Sequence, residues 1–196
     1  MRYEKGRKDA SRSRIMEVAA ERFRNDGIAA SGLAKIMSDA GLTNGAFYPH
    51  FQSKAELVRE SVAAALEDQA DQIGQALASG GLAMAIDTYL AAAHRDSPGK
   101  GCASAALLPE IAREPAESRQ LYTERLLTLV RQVSAEMPPQ TPDPESVAFA
   151  IFATLIGALQ LARAVEGKEL SDRILAAGSE AAKTLIRPPS ENENAS

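Results

Sequence analysis

The chain of 196 residues contains one cysteine, two histidines and no tryptophan, and only 5% of its residues are aromatic. A single cysteine excludes an internal disulfide framework, and two histidines with one cysteine fall short of a dedicated zinc motif. No sustained run alternates Val, Ile or Thr with polar residues, whereas alanine is abundant. We therefore predict an all-α protein without a metal or a cofactor.

Long hydrophobic runs are also absent. The longest, residues 147–159, contains Thr154 and Gly157 and is shorter than the roughly 20 residues that span a bilayer, so it is typical of a buried helix. The amino terminus lacks the apolar core of a secretory signal. We expect a cytoplasmic protein that has no membrane partner.

Charge is distributed unevenly along the chain. The net charge is -4, but residues 1–57 carry ten Lys and Arg against seven Asp and Glu, a net charge of +3, which leaves -7 for the remainder. A basic end joined to an acidic body is typical of a protein whose one end faces DNA.

The basic end contains a helix-turn-helix spacing. A short helix is predicted at residues 33–40, Gly41 can adopt the positive φ of a tight turn, and Thr43 can cap a second helix. Leu42 and Phe47 can seat that second helix, and the side chains on its opposite face suit the DNA major groove. Two helices joined by a tight turn are also a common packing unit with no nucleic-acid role.

Several flanking residues could contact phosphates. Ser31 is placed to cap the 33–40 helix, Lys35 lies near the same end, and Lys54 begins a long helix opened by the capping box Ser53-x-x-Glu56. Lys35 could equally be a solvated surface lysine. Residues 1–14, which precede a first helix at residues 13–26, are either a solvated, frayed terminus or an arm that orders on DNA.

Residues 15–57 resemble the DNA-binding domain of TetR-family transcriptional regulators. The matching text is Ile15-x-x-x-Ala19-x-x-x-Phe23, Gly27, the turn at residues 36–41, Thr43-x-Gly45-x-x-Tyr48-x-His50-Phe51, and Ser53-Lys54-x-Glu56-Leu57. The resemblance implies contacts to operator bases or phosphates from six residues: Thr43, Asn44, Gly45, Tyr48, His50 and Lys54.

Three positions depart from the family pattern. Ser31 stands where the family usually has threonine, Met37 stands where alanine is common, and Pro49 lies inside the recognition helix. Proline removes an N–H, so the helix is expected to end or bend at Tyr48, which affects the direction of His50. His50 could instead cap a carbonyl or pack on the fold, and Tyr48 could be a core residue.

The body supplies two further predicted sites. A mostly apolar set could line a small-molecule effector site, although each member could equally be core: Met84, Tyr89, Leu107, Leu108, Tyr122, Leu126, Phe149 and Phe152. The last two predicted helices have wide apolar faces, which favours a four-helix interface with a second copy over burial in a monomer. The predicted interface residues are Phe149, Phe152, Ile156, Leu159, Arg163, Leu175, Gly178 and Ala182.

We predict a DNA-binding domain at 1–57, an effector-binding and dimerisation domain at 58–187 and a disordered tail at 188–196. The predicted function is a homodimeric regulator, most simply a repressor, that binds a palindromic double-stranded operator and is released by a small apolar or amphipathic ligand. A thiol switch at Cys102 is the first alternative. The second is a helical enzyme or adaptor without a DNA role, although no nucleophile with its base and oxyanion site is visible.

Overall fold

A computed structural model describes the backbone of residues 2–186 and the side chains of residues 8–186. Within this part of the chain the secondary structure is helical throughout and contains no strand, which confirms the predicted all-α class. The helices are α1 (Arg2–Asp26), α2 (Leu33–Asp39), α3 (Lys54–Tyr89), α4 (Ala92–Arg95), α5 (Ala103–Ile111), α6 (Ala116–Ala135), α7 (Pro144–Ala164) and α8 (Lys168–Leu185). The predicted tail at 188–196 lies outside the described residues.

Helix α1 is longer than predicted. It begins at Arg2 instead of Ser13, so most of the basic arm is an extension of α1 and not a frayed terminus or an arm that orders on binding. No proline interrupts it. Extending an existing helix adds about one hydrogen bond for each residue fixed, whereas starting a new helix is costly, which favours continuation into the arm.

The described chain forms two packing units. The first combines residues up to 69 with residues 97–125, and the second combines residues 70–96 with residues from 126 onward. The packing boundary therefore differs from the predicted division at residue 57, because residues 97–125 pack with the amino-terminal helices. The functional division at residue 57 stays a prediction.

The first unit is built on one face of α1. Ile15, Ala19 and Phe23 follow each other at spacings of four residues and are all fully buried. This face packs on α2, on α5 and on a 3-10 turn at Pro98–Lys100. Deleting such a buried aromatic ring costs about 3–5 kcal/mol, so this stripe accounts for much of the unit's stability.

The second unit is centred on the antiparallel pair α7 and α8. A Cβ atom at Gly178 would collide with Cβ of Ala158, so this close approach requires glycine at position 178. The capping residue Asp143 begins α7 by accepting the Ser146 N–H at 3.2 Å, and Pro144 occupies the first turn, as predicted.

Charged side chains fix α4 against this pair. The buried Arg95 donates from Nη1 to Ser171 Oγ at 3.0 Å and to Asp172 Oδ1 at 2.5 Å. A second contact has its donor on α7: Arg163 Nη2 donates to the His94 carbonyl of α4 at 2.7 Å. A buried charge is tolerated only when it is paired in this way, so removing Asp172 is more damaging than removing an ordinary surface carboxylate.

Candidate nucleic-acid interface

The connection between α1 and α2 is held by backbone and hydroxyl hydrogen bonds. Gly27, at φ 85°, ends α1, and its carbonyl accepts both the Ser31 N–H at 3.2 Å and the Ser31 hydroxyl at 2.7 Å. Ser31 is buried, and Gly32 occupies the cap position of α2 without a side-chain cap. The prediction that Ser31 caps α2 is therefore wrong, because its hydroxyl donates to the Gly27 carbonyl.

The turn after α2 is formed as predicted. Gly41 has φ 73°, and the Leu42 N–H donates to the Met37 carbonyl at 2.9 Å, which closes the end of the helix. This pattern is a Schellman-type C-cap, which requires a residue that tolerates positive φ. The chain then reverses toward residues 43–50.

Residues 43–51, called here the recognition segment, are not the regular helix that the sequence predicts. The segment consists of a 3-10 turn at Asn44–Ala46 followed by a tight turn, with the Phe47 carbonyl accepting the His50 N–H at 2.9 Å and the Phe51 N–H at 3.1 Å. Thr43 precedes the 3-10 turn but makes no side-chain cap. Asn44 and Gly45 have low helix propensity, and Pro49 disfavours helix at Tyr48, so the two local effects act together.

Two buried phenylalanines anchor the recognition segment. Phe47 and Phe51 are almost completely buried, and their rings stack with centroids 5.6 Å apart. The backbone between them is therefore held in a fixed position without long helical hydrogen bonding. The polar side chains of the segment are carried outward by this apolar base.

The outward surface consists of Thr43, Asn44, Gly45 and Tyr48, all of which are exposed. Tyr48 is 71% exposed and touches Phe47 only edge-on, with ring centroids 5.5 Å apart. A Cβ at Gly45 would meet nothing within 4 Å, so another backbone could approach there. Hydroxyl, amide and phenol groups on this surface can donate to and accept from base edges and phosphates.

His50 is half-buried and does not share this outward direction. Its Nδ1 is buried and has no hydrogen-bond partner among the residues that the structure describes. Burial, together with the positive charges of Lys8 and Arg12, lowers the pKa of His50. The imidazole is therefore neutral at pH 7, which makes it a weaker partner for a phosphate than a charged histidine would be.

The two predicted phosphate-contacting lysines differ. Lys54 Nζ donates to the Ile28 carbonyl at 2.5 Å, so its ammonium group stabilises the α1–α2 connection. Lys35 is exposed, and its Nζ lies 3.2 Å from Oδ1 of Asp39, whose pKa is lowered chiefly by the hydrogen bond from Arg22. Of the two, only Lys35 presents its ammonium group at the surface.

The start of α3 confirms the predicted capping box. Ser53 Oγ accepts the Glu56 N–H at 3.1 Å, and Glu56 Oε2 accepts the Gln52 N–H at 2.6 Å. The carboxylate reaches one residue further back than in the usual pattern. The capped helix begins directly after the recognition segment and fixes its carboxyl end.

Hydrogen bonds between residues distant in the chain also stabilise the first packing unit, and sequence spacing did not predict them. Glu110 of α5 accepts the Ala29 N–H at 3.0 Å in the α1–α2 connection, and Arg24 of α1 donates to the Gly99 carbonyl at 2.6 Å. Burial lowers the pKa of Arg24. These residues are more than 70 positions apart in the chain, so only a pairing signal between distant positions could have found them.

The predicted effector residues are divided between the two packing units. Leu107, Leu108 and Tyr122 belong to the first, where Tyr122 Oη and Ser104 Oγ are 3.0 Å apart and burial raises the pKa of Tyr122. The members in the second unit are Met84, Tyr89, Leu126, Phe149 and Phe152. Met84 and Phe149 are exposed side chains of the single chain.

A groove of about 370 Å³ opens in the second unit, and it shares no residue with the predicted effector set. Its lining consists of Asp87, Leu90, Ala92, Asp172, Leu175, Ala176, Ser179, Glu180 and Lys183. Lys183 Nζ lies 2.7 Å from Oδ1 of Asp87, and this pairing lowers the pKa of Asp87 and raises that of Lys183. The charged rim is thus paired within the chain.

Most of the predicted dimer residues fill the chain's own core. Five of them are buried within the single chain: Phe152, Leu159, Leu175, Gly178 and Ala182. Little of their accessible surface is left for a second copy to cover. Arg163 binds main-chain carbonyls of the same unit. Phe149 is exposed and Ile156 half-buried, so these two remain available. The prediction selected the inner face of a helix that is apolar on both faces.

Another apolar stripe of α7 and α8 faces outward. It comprises Phe149, Ala153, Ile156, Leu161 and Ala164 of α7 with Leu170, Ile174, Ala177, Ala181 and Leu185 of α8, which we call the outer α7–α8 face. Helix α7 has the length and hydropathy of a membrane span, but only 33% of its most apolar window is buried. One such helix is weak evidence for a membrane, because a helix covered by another protein surface has the same composition.

Cys102 is 4% exposed and caps the amino end of α5. Its Sγ accepts the Ala105 N–H at 3.4 Å, and both Arg24 and Tyr122 lie close enough to interact with it electrostatically. Among the residues that the structure describes, no group of three or more His, Cys, Asp and Glu side chains is placed to hold a metal ion.

Comparison with known proteins places the recognition segment in a described family. Residues 15–61 match the family model "Bacterial regulatory proteins, tetR family". The HTH-type transcriptional regulator TtgR of Pseudomonas putida is 47% identical over 49 residues, which make up 25% of this chain and 23% of that protein. The chain thus matches about a quarter of the length of the curated relatives.

Solved structures match nearly the whole chain. The reduced form of NemR from E. coli superimposes with a TM-score of 0.76 at 17% identity, covering 92% of this chain and 99% of NemR. A regulatory protein TetR from Rhodobacter sphaeroides gives a TM-score of 0.73 at 20% identity, covering 89% of this chain and 98% of that protein. At these identities the likeness shows the fold alone.

Proposed function

We propose, because the chain belongs to the tetR family of bacterial regulatory proteins, that it binds a palindromic DNA operator as a homodimer and represses transcription until a small ligand releases it. The observation that carries this proposal is the recognition segment. Its exposed polar groups stand on a rigid base of Phe47 and Phe51. A short segment with exposed polar side chains can enter a major groove about 12 Å wide.

We assign the DNA contacts to those predicted residues whose side chains are exposed. Thr43, Asn44, Gly45 and Tyr48 would contact base edges and phosphates, and Lys35 would contact the backbone. We assign Ser31, His50 and Lys54 to supporting roles, since each is buried or half-buried. Ser31 and Lys54 hydrogen-bond within the α1–α2 connection, which positions the segment.

The outer α7–α8 face supports the homodimer. Its exposed apolar residues have the composition of the fully buried centre of a stable interface, and a single soluble chain rarely exposes a large contiguous apolar patch. A two-fold dimer would present two recognition segments. Such dimers bind half-sites spaced about 34–36 Å apart, or a multiple of that distance, so a palindrome is the expected operator.

A small apolar or amphipathic effector would act by selecting one conformation of the dimer. It releases DNA only if it binds better to a state in which α3 holds the two recognition segments out of register with successive grooves. The effector residues proposed from sequence stay candidates in this account: Met84, Tyr89, Leu107, Leu108, Tyr122, Leu126, Phe149 and Phe152.

Selection of bound duplexes from a random pool tests the proposal. We expect an inverted repeat to be enriched, with each half bound by one recognition segment. If no sequence is enriched above the starting pool, under salt conditions where the protein stays folded, a DNA-binding function is contradicted. An adaptor role then becomes the better explanation. The family match leaves a helical enzyme without support.

A thiol-switched regulator is the second candidate, because the buried Cys102 lies at the amino end of α5 near a guanidinium and would react once the helix opens. A helix amino terminus and a nearby guanidinium, here that of Arg24, are surroundings in which reactive cysteines occur. Cys102→Ser keeps a capping side chain. If oxidant-induced release from the selected operator is unchanged in this variant, the thiol switch is excluded.

A further inference from the structure

Helix α1 extends well beyond the segment that identifies the family. The family match begins at residue 15, whereas α1 begins at Arg2, so about three and a half helical turns lie outside the match. This extension is continuous with α1 and carries an excess of basic residues. Nothing in the function proposed above uses it.

The helical face of α1 that is buried and apolar in the core carries positively charged side chains in the extension. Ile15, Ala19 and Phe23 are fully buried, and spacings of three and four residues carry the same stripe back to Arg12 and then to Lys8. Residues spaced three and four apart lie on one helical face. The face that packs on the core therefore becomes positively charged where α1 leaves the core.

Arg12 ties this stripe to the recognition segment. Its Nη2 forms an ion pair with Glu60 Oε2 of α3, and its guanidinium carbon lies 4.6 Å from the centroid of the Phe51 ring. A paired guanidinium over an aromatic ring is held in a defined position. Arg12 thus fixes the direction of the extension relative to the segment and has its charge already compensated.

Lys8 lies one turn further along the same face and is exposed. No ion pair to Lys8 is found within the described part of the chain. Arg12, one helical turn away on this face, lies over the Phe51 ring, so Lys8 is carried on the side of α1 that faces the recognition segment. Because Lys8 is exposed whereas Arg12 is half-buried, a ligand can reach the ammonium group of Lys8 more readily than the guanidinium of Arg12.

We infer that Lys8, carried on this preformed helical extension, binds a backbone phosphate of the operator next to the bases contacted by Thr43–Tyr48. The inference rests on the proposed function. Charge complementarity and continuity with the recognition segment support duplex DNA as the occupant, and phosphate contact is independent of base sequence. Because the extension is already helical, less ordering entropy has to be spent on binding.

Titrations of duplex binding at several salt concentrations test the inference. Wild-type protein and Lys8→Ala are compared on the selected inverted repeat and on a random-sequence duplex of equal length. We expect Lys8→Ala to weaken binding about three- to tenfold on both duplexes near 0.1 M salt. The slope of log K against log salt should become shallower by about 1.8, since each of two copies loses one phosphate contact worth about 0.9.

Arg14→Ala is the matched control, because Arg14 lies on the same extension but off the stripe, and its guanidinium is 3.8 Å from Glu17. We expect Arg14→Ala to bind like the wild type. Helical content by circular dichroism confirms that both variants keep the extension.

The outcomes separate the two proposals. If the wild type selects and binds no duplex, the proposed function fails. If the wild type binds and Lys8→Ala has the same affinity and salt slope, or if Arg14→Ala weakens binding as much, only the contact at Lys8 is overturned. A loss that occurs on the inverted repeat but not on random duplex also contradicts a backbone contact.

Discussion

The recognition segment and the outer α7–α8 face are two surfaces that a single chain leaves uncovered, and their chemistry is opposite. The first presents hydroxyl, amide and phenol groups on buried rings, whereas the second presents a stripe of Phe, Leu, Ile and Ala. A polar surface exchanges its hydrogen bonds to water for hydrogen bonds to another polar partner. An apolar surface is stabilised when a partner removes it from water. This difference is the one expected if, as we propose, DNA covers the first surface and a second copy covers the second.

The largest expected effect concerns the rings beneath the recognition segment. Phe47→Ala removes a fully buried ring and should lower the free energy of unfolding by about 3–5 kcal/mol in urea denaturation. Tyr48→Ala is the matched control, because its ring is mostly exposed, and should change stability by no more than about 0.5 kcal/mol. Equal losses would show that the segment has no apolar base distinct from its polar surface.

The second effect concerns the outer α7–α8 face. Phe149→Asp combined with Leu161→Asp places charges on two exposed apolar positions of α7 and should raise the dissociation constant of the dimer at least about a hundredfold. Sedimentation equilibrium measures this change. Met84→Asp, at an exposed apolar side chain outside that face, should leave the dimer intact. A dimer that survives the double substitution contradicts the assignment of this face.

A smaller effect is expected at the outward surface of the recognition segment. Tyr48→Ala should weaken binding to the selected operator about tenfold, because it removes a ring and a hydroxyl that contact the duplex and leaves the fold intact. Fluorescence anisotropy on duplex DNA measures the loss. Binding equal to that of the wild type would remove Tyr48 from the interface.

The smallest expected effect is a pH dependence shared by both packing units. The pKa values of His50 and His94 are both lowered from 6.5, chiefly by burial, so the unfolded chain takes up protons before the folded one does. The stabilisation from neutral imidazole is complete above pH 6.5 and is lost as pH falls through the lower, folded pKa values. Urea denaturation below pH 6.5 should therefore give decreasing stability.

Single histidine variants show how much of the pH dependence of the unfolding free energy comes from each packing unit. His50→Gln and His94→Gln should each flatten the pH dependence in part, and the double variant should remove most of it between about pH 5.5 and 7, where carboxylates titrate little. A slope that is unchanged in the double variant would mean that neither histidine is held neutral by the fold.

Sequence patterns predicted those parts of the molecule that depend on local chemistry. Gly41 at positive φ, the buried Phe47, the Ser53 capping box and the Asp143 cap all follow from residue types within a few positions of each other. The shape of the recognition segment was predicted only in part. The effect of Pro49 on the helix was anticipated, but its combination with Asn44 and Gly45 gives two tight turns.

Contacts between distant residues could not be predicted from spacing. The bond of Lys54 to Ile28, and that of Ser31 to Gly27, use side chains that the sequence assigned to phosphates, because a cation or hydroxyl near a helix start suits either partner. Several of the residues predicted for a dimer interface are core residues of the single chain for a related reason. When both faces of a helix are apolar, periodicity does not say which of them the chain itself buries.

The mass of the protein–DNA complex tests the joint action of the two surfaces most directly. Native mass spectrometry on the selected duplex should give an even number of chains, at least two, and scrambling one half-site should abolish the complex at concentrations that saturate the intact operator. A single chain bound to the intact operator, with undiminished affinity for one half-site, would contradict the account.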